Sequence, residues 1–392
     1  MAIKLGNNVF IKRGSRPTPL SKYETKDLND INAIPYPIQS DIEKNNNYLC
    51  QYKKMFKTNL GYNFSLAIRG DLLMTSSCDI GNVVILNLEK AFIDDKFFNL
   101  KTSPLLEKQY LKYWIIKNKK EISELGYGTT FNVLYIEPFS KYLNTKFVPD
   151  LQIQQEIINI IEPKEQLFLK YHNVVDISDL DKFKKTWSNL INIIEPFEKL
   201  KNTIIFKIKK IESIMNHQIN NTKENNFSLG EFDNFQGFAF KSNDFLEKGK
   251  YIVYKIANIL NINQNISYTN NPNNKVFLKE GDVVTGLSGS IGTSDVILEN
   301  NKYLLNQRLI SIRSNYSLLV KMIIEKNKKI LESYSTGSVQ MNITKNDVLN
   351  LKYDKSLNNY LNLKISKLYI LYNKKNILIN KIIACLIELH VV

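Results

Sequence analysis

At 392 residues the chain is longer than one ordinary domain, and its length predicts two or three. Hydrophobic residues make up 43% and charged residues 23%, which excludes a disordered polymer and leaves apolar side chains for a core in each half. The formal charge of +15 favours a polyanionic partner, nucleic acid or an anionic membrane surface; yet only five of the 53 basic residues are arginine, and over-use of lysine, as in AT-rich genomes, gives the same balance without a function.

The chain starts MAIKLGNNVFIKRG, which carries no signal-sequence pattern. Leu5-Gly6, an apolar stretch and Gly14 form a first landmark. Lys12, Arg13 and Arg16 cluster around Gly14 in IKRGSRPTP, a loop-like run that opens a first module. Arginine bonds guanine O6 and N7 bidentately or clamps a phosphate; the plainer reading is a solvated basic loop. The second landmark is Gly70-Asp71-Leu72-Leu73, followed by Ser76-Ser77, Ile80-Gly81 and the strand-like run NVVILNL. A short helix is predicted near Leu105–Lys119, and Gly128-Thr129-Thr130-Phe131-Asn132 closes the module before an apolar run to Leu143.

Residues 152–219 contain no glycine, and Ile204, Ile208, Ile211 and Met215 recur at helical spacing. That stripe predicts an amphipathic helix whose apolar face meets either its own core or a partner. INIIEPKEQL and INIIEPFEKL repeat within it; Pro163 and Pro196 each predict a helix start or a kink. Ser178 or Asp179, within the connector HNVVDISDLDKF, is the candidate N-cap. A continuous helix from Asp179 to Ile219 spans roughly 60 Å.

All three landmarks then recur in order. Leu229-Gly230 and Gly237 repeat the first, with Gln236 and Lys241 as candidates for adenine and phosphate contacts. Gly281-Asp282-Val283-Val284, Ser288-Gly289-Ser290, Ile291-Gly292 and VIL repeat the second. Gly337-Ser338-Val339-Gln340-Met341-Asn342 repeats the third. Ser76, Ser77, Ser288, Ser290 and Thr293 lie in glycine-rich turns whose hydroxyls suit phosphate contacts or ordinary turn chemistry. Thr129, Thr130, Asn132, Ser338, Gln340 and Asn342 either face a ligand or simply finish their modules. Arg308 is placed on the strand-like run YLLNQRLISIR; Arg313, near its end, reads as structural. A second short helix is predicted near Leu318–Tyr334, and residues 357–390 repeat the helical texture. The terminal ILINKIIACLIELHVV is broken by Lys381 and Glu388, so it reads as a packing helix and not a membrane span.

No catalytic constellation emerges. There is no GxxxxGK[ST] loop, no methyltransferase cofactor loop and no carboxylate–lysine nuclease cluster. Glu162 and Glu195 recur as IIEP and read as helix-start partners. Ser288 lacks a histidine in its module to activate it. Cys50, Cys78 and Cys385 are widely spaced, as are His172, His217 and His390, so no metal is expected and a reducing cytoplasm is.

The ordered duplicate set resembles the specificity subunits of type I restriction–modification systems. The resemblance rests on Gly70-Asp71 with Ile80-Gly81, Gly281-Asp282 with Ile291-Gly292, GTTFN and GSVQMNI, Leu305-Asn306-Gln307 and the exit FVPDLQIQQEI; LKYDKSLNNYL lacks the proline of that exit. It implies an α/β (α+β) chain with two globular target-recognition domains, residues 1–151 and 223–355, a central helical spacer, 152–222, and a C-terminal helix, 356–392. Long antiparallel coiled-coil helices would separate the domains with pseudo-twofold symmetry. It further implies a non-catalytic, cytoplasmic subunit that recognises a bipartite double-stranded DNA site. Methyltransferase subunits, two copies expected, and restriction subunits would act there, using S-adenosylmethionine, ATP and Mg themselves. Two other readings stand beside it: a fused nuclease–methylase, against which the missing motifs argue, and a scaffold binding RNA or protein through two modules.

Overall fold

The computed structural model describes residues 2–45, 48–128, 131–222, 226–260, 266–270, 276–335 and 341–391. The chain divides into two compact units: Met1–Glu195 with Leu386–Val392, and Pro196–Cys385. The residues expected as a central spacer and as a C-terminal helix are each divided between the two.

The first unit is built on five strands: β1 (Val9–Arg13), β2 (Tyr48–Leu49), β3 (Leu72–Thr75), β4 (Val83–Leu86) and β5 (Phe97–Thr102). Their order is β1-β5-β3-β4-β2, and only the β4/β2 pair is parallel. Every residue of β3 is buried, which explains its unbroken run Leu-Leu-Met-Thr: a central strand covered on both faces has no polar side to alternate. Helix α1 (Lys108–Lys117) occupies the stretch predicted to be helical, and α2 (Lys119–Glu124) continues beyond it. Aromatic rings fill a second core, with Phe56 stacked on Phe92 at 3.8 Å.

Helices α3 (Leu151–Ile161) and α4 (Glu165–Tyr171) follow, joined by a 3-10 turn that contains Pro163. Helix α5 (Leu180–Asn221) runs unbroken through Pro196. Asp179 caps it: its Oδ1 accepts from the amides of Asp181 at 2.9 Å and Lys182 at 3.1 Å. Asp179→Ala is therefore expected to cost about 1 kcal/mol, measurable as a lower urea midpoint with unchanged slope. An unchanged midpoint would show that packing alone fixes this helix start. That packing is substantial, since Phe183, Trp187 and Phe168 are buried around one another.

The second unit repeats the sheet as β6 (Asp233–Gln236), β7 (Val283–Gly286), β8 (Ser294–Val296) and β9 (Leu309–Arg313), in the order β6-β9-β7-β8. Helices α6 (Ser317–Lys326) and α7 (Lys328–Ser333) follow β9 as α1 and α2 follow β5, and α8 (Tyr360–Val391) ends the chain. Met215 and Ile219 of α5 are buried in one core with Val283, Ile312, Leu319 and, from α8, Ile365 and Tyr369. This corrects the partner-face reading of the stripe. Ile204 and Met215 are 4% and 0% exposed, and Ile208 and Ile211 lie partly buried against that same core. The apolar side chains left open on α5 are others, among them Leu200 and Phe206.

Candidate nucleic-acid interface

Each unit repeats one hydrogen-bonded frame, and most of the candidate contacts sit on it. In the first unit, β1 ends at Arg13. Gly14 N then donates to Phe97 O at 3.0 Å and Ser15 N to Ile93 O at 3.2 Å. In the second, β6 ends at Gln236. Gly237 N donates to Leu309 O at 3.0 Å and Phe238 N to Leu305 O at 2.9 Å. Each glycine lies against a tight turn. Phe97 N closes one on Asp94 O at 3.2 Å, and Leu309 N the other on Asn306 O at 3.1 Å.

The correspondence continues residue by residue. Ser76 N donates to Lys96 O at 2.8 Å, and Leu287 N to Arg308 O at 2.9 Å. The closing landmark returns here: Leu134 N donates to Ser76 O at 2.7 Å, and Ile343 N to Leu287 O at 2.9 Å. Cys78 and Gly289 both take positive φ, 58° and 75°, and donate to Asn132 O and Met341 O. Ser77 bridges Val133 as Ser288 bridges Asn342. The three landmarks thus meet at one edge of each unit.

The side chains on this edge differ between units. Arg13 is not in a solvated loop. Its Nε donates to Asp95 O at 2.8 Å, and its guanidinium lies 5.5 Å from the centroid of the Tyr135 ring, which stacks on Tyr127. Lys12 is exposed on the same strand, and Arg16 Nη1 stands 3.9 Å from Asp95 Oδ1. Arg16, Gln39, Lys54 and Lys96 line a cleft of about 680 Å3 beside the turn. At its base Tyr36 donates to Asp94 at 2.8 Å. Burial pushes the Asp94 carboxyl above its ordinary value, although this hydrogen bond and one from the Lys96 amide oppose the shift. In the second unit Gln236 Nε2 donates to Gln307 O at 3.2 Å, with Gln307 and Arg308 exposed beside it. Lys241 is exposed and its amide bonds Asp244.

Several expectations need correction. Ser76 is fully buried, and its hydroxyl bonds Asp95 O at 3.3 Å, so it offers nothing to a phosphate. Ser77 and Ser288 are each 7% exposed and their hydroxyls have no partner. Ser290 and Thr293 are half-buried, and Thr293 O accepts from the Thr285 hydroxyl. Arg308 is off the strand, in the turn that separates Tyr303–Leu305 from β9. Asn132 and Asn342 are exposed. Thr129, Thr130, Ser338 and Gln340 lie outside the described residues.

Arg313 is structural, as read from the sequence. Its Nε and Nη2 each stand 2.8 Å from the carboxylate of Asp282, the aspartate of the central landmark. In the first unit Lys101 pairs with Asp71 in the same register. Burial alone pushes the Asp71 carboxyl up, but hydrogen bonds from Lys101, Asn99 and the Ile68 amide outweigh it and hold the group below its ordinary value. The sequence reading missed Asp95, Lys96 and the Tyr127–Tyr135 pair. The offset between the central landmarks, Gly70 to Gly281, carries Asn306-Gln307 back onto Asp95-Lys96 and so points to the first two.

Among the described residues no group of His, Cys, Asp and Glu side chains is arranged to hold a metal. Among them, too, no helix is long and apolar enough to cross a membrane.

The model of the family described as type I restriction modification DNA specificity domain matches residues 220–353. A solved structure, the type I restriction–modification system S subunit from M. genitalium, matches at 16% identity and TM-score 0.50, covering 100% of this chain and 93% of that one. A chain from a structure on complex assembly and conformational transition of the type I R-M system matches at 11% identity and TM-score 0.45, covering 100% and 97%. The HsdS subunit from Thermoanaerobacter tengcongensis matches at 13% and 0.34, covering 100% and 94%. No curated protein sequence matches. Within the second unit, residues 220–353 thus match a type I restriction–modification DNA specificity domain. Over its length the chain shares the fold of the M. genitalium S subunit.

Proposed function

We infer that this chain reads a bipartite site on double-stranded DNA, one half per unit, and directs partner subunits to it. The observation that carries this reading is the frame built twice from the same backbone hydrogen bonds and edged by different cationic and amide side chains. A repeated frame with unlike side chains suits two half-sites of unlike sequence. The partners are methyltransferase subunits, two of them, and restriction subunits. They methylate adenine or cleave DNA with ATP. S-adenosylmethionine, ATP and Mg serve those subunits, and this chain carries the address alone.

The test is the salt dependence of duplex binding by the chain purified with its methyltransferase partners. Log affinity is expected to fall linearly with log salt. Arg16→Ala and Lys96→Ala are each expected to reduce that slope by about 1 if the side chain sits on a phosphate. Binding insensitive to salt, or no duplex binding by the complex, would contradict the reading.

A further inference from the structure

We propose that residue 13 in the first unit and residue 236 in the second are one and the same reading position, and that each sets a single base pair of its half-site. The proposal rests on the reading above and goes further by naming the position and the base.

The two residues are equivalent by the hydrogen bonds around them. Each is the last residue of its strand, and each precedes the glycine whose amide reaches across to β5 or β9. Each side chain then donates to the second residue of the facing turn, Arg13 to Asp95 O and Gln236 to Gln307 O. Using one donor on the protein leaves both side chains anchored with a reading edge outward. Arg13 spends only Nε, so both terminal nitrogens keep their hydrogens for a ligand, and Tyr135 supports the guanidinium plane. Two parallel donors match guanine O6 and N7. Gln236 spends one N–H and keeps the other together with Oε1, one donor and one acceptor, which matches adenine N7 and N6. Anchoring matters because a side chain held in place loses less conformational freedom on binding. The flanking turn residues, Lys96 and Arg308, supply positive charge next to both positions.

The scaffold being common, the preference should move with the side chain. The experiment maps modified adenines in cells expressing the chain with its methyltransferase partners. Arg13→Gln is expected to change one base pair of one half-site from G·C to A·T, and Gln236→Arg to change one base pair of the other half from A·T to G·C. Each leaves the remaining half untouched, with discrimination at the altered pair of about 10- to 100-fold. Arg13→Lys keeps the charge and the strand but loses the planar fork, so it is expected to relax that same pair without a new preference. A variant complex that still methylates but keeps the native motif at every pair overturns the proposal and leaves the bipartite reading intact. A native complex whose modified sites share no two-part motif overturns both.

Discussion

Gly14→Ala and Gly237→Ala are expected to destabilise their own units by more than about 3 kcal/mol, at or beyond the top of the range for overpacked cores. An added Cβ on Gly14 comes to 1.9 Å from Asp94 O, and one on Gly237 to 1.9 Å from Asn306 O. Both obstacles are backbone atoms, so no rotamer change relieves them. The glycine amide and the turn carbonyl belong to the same set of cross-strand bonds, and moving the strand away breaks the bond from Gly14 to Phe97 or from Gly237 to Leu309. Unfolding is best followed by two probes. Among the described residues the core clusters around β3 and around β7 each lie within one unit, and a variant in one should lower one transition and leave the other near its native midpoint. Two unchanged transitions would mean that the turn yields at little cost, and the shared frame would then not be rigid.

Arg313→Met is expected to cost about 3 kcal/mol, the low end for breaking a buried ion pair. The reason is asymmetric burial. The Asp282 side chain is 1% exposed whereas Arg313 is 34% exposed. Removing the cation leaves the carboxylate with the Lys279 amide at 2.8 Å and limited access to water through the vacated site. Lys101→Met should cost less in the first unit, because Asn99 at 2.7 Å and the Ile68 amide at 3.1 Å still serve Asp71. Asp71 also sets a pH dependence. Its carboxyl is depressed in the folded state, so its contribution is complete above the unfolded value near 3.9 and is lost as pH falls through the lower folded value. Thermal unfolding of both variants checks the order; equal losses would show that the spare donors on Asp71 do not compensate.

The sequence made the frame legible wherever the backbone dictates a residue type. Gly14 and Gly237 permit a close approach, and Asp71 and Asp282 fold back on the amides of Ile68 and Lys279. These needs recur with the fold, so the landmarks recur. What failed was anything decided by burial across the chain. Ile204, Ile208, Ile211 and Met215 have the spacing of an apolar helix face, and spacing is silent on whether that face meets its own core or a partner. Ser76 and Ser77 share a composition typical of phosphate turns, yet both are covered because the closing segment around Leu134 lies over them. Arg308 was placed on a strand because Asn-Gln-Arg-Leu lacks the glycine or proline that marks a turn. The Leu309 amide closes that turn without either. Lys96 and Asp95 fell in the equivalent turn and were missed for the same reason.

The central claim is that two units of one scaffold read two half-sites independently. The most direct measurement is genome-wide mapping of methylated adenines, for the native complex and for one whose chain carries Gln236→Ala, Gln307→Ala and Arg308→Ala together. All three changes lie on the reading edge of the second unit. The native complex should give a two-part motif with a constant gap. The triple variant should keep the gap and one half unchanged and lose selectivity in the other half alone. A single contiguous motif, or loss of selectivity in both halves at once, would contradict the account.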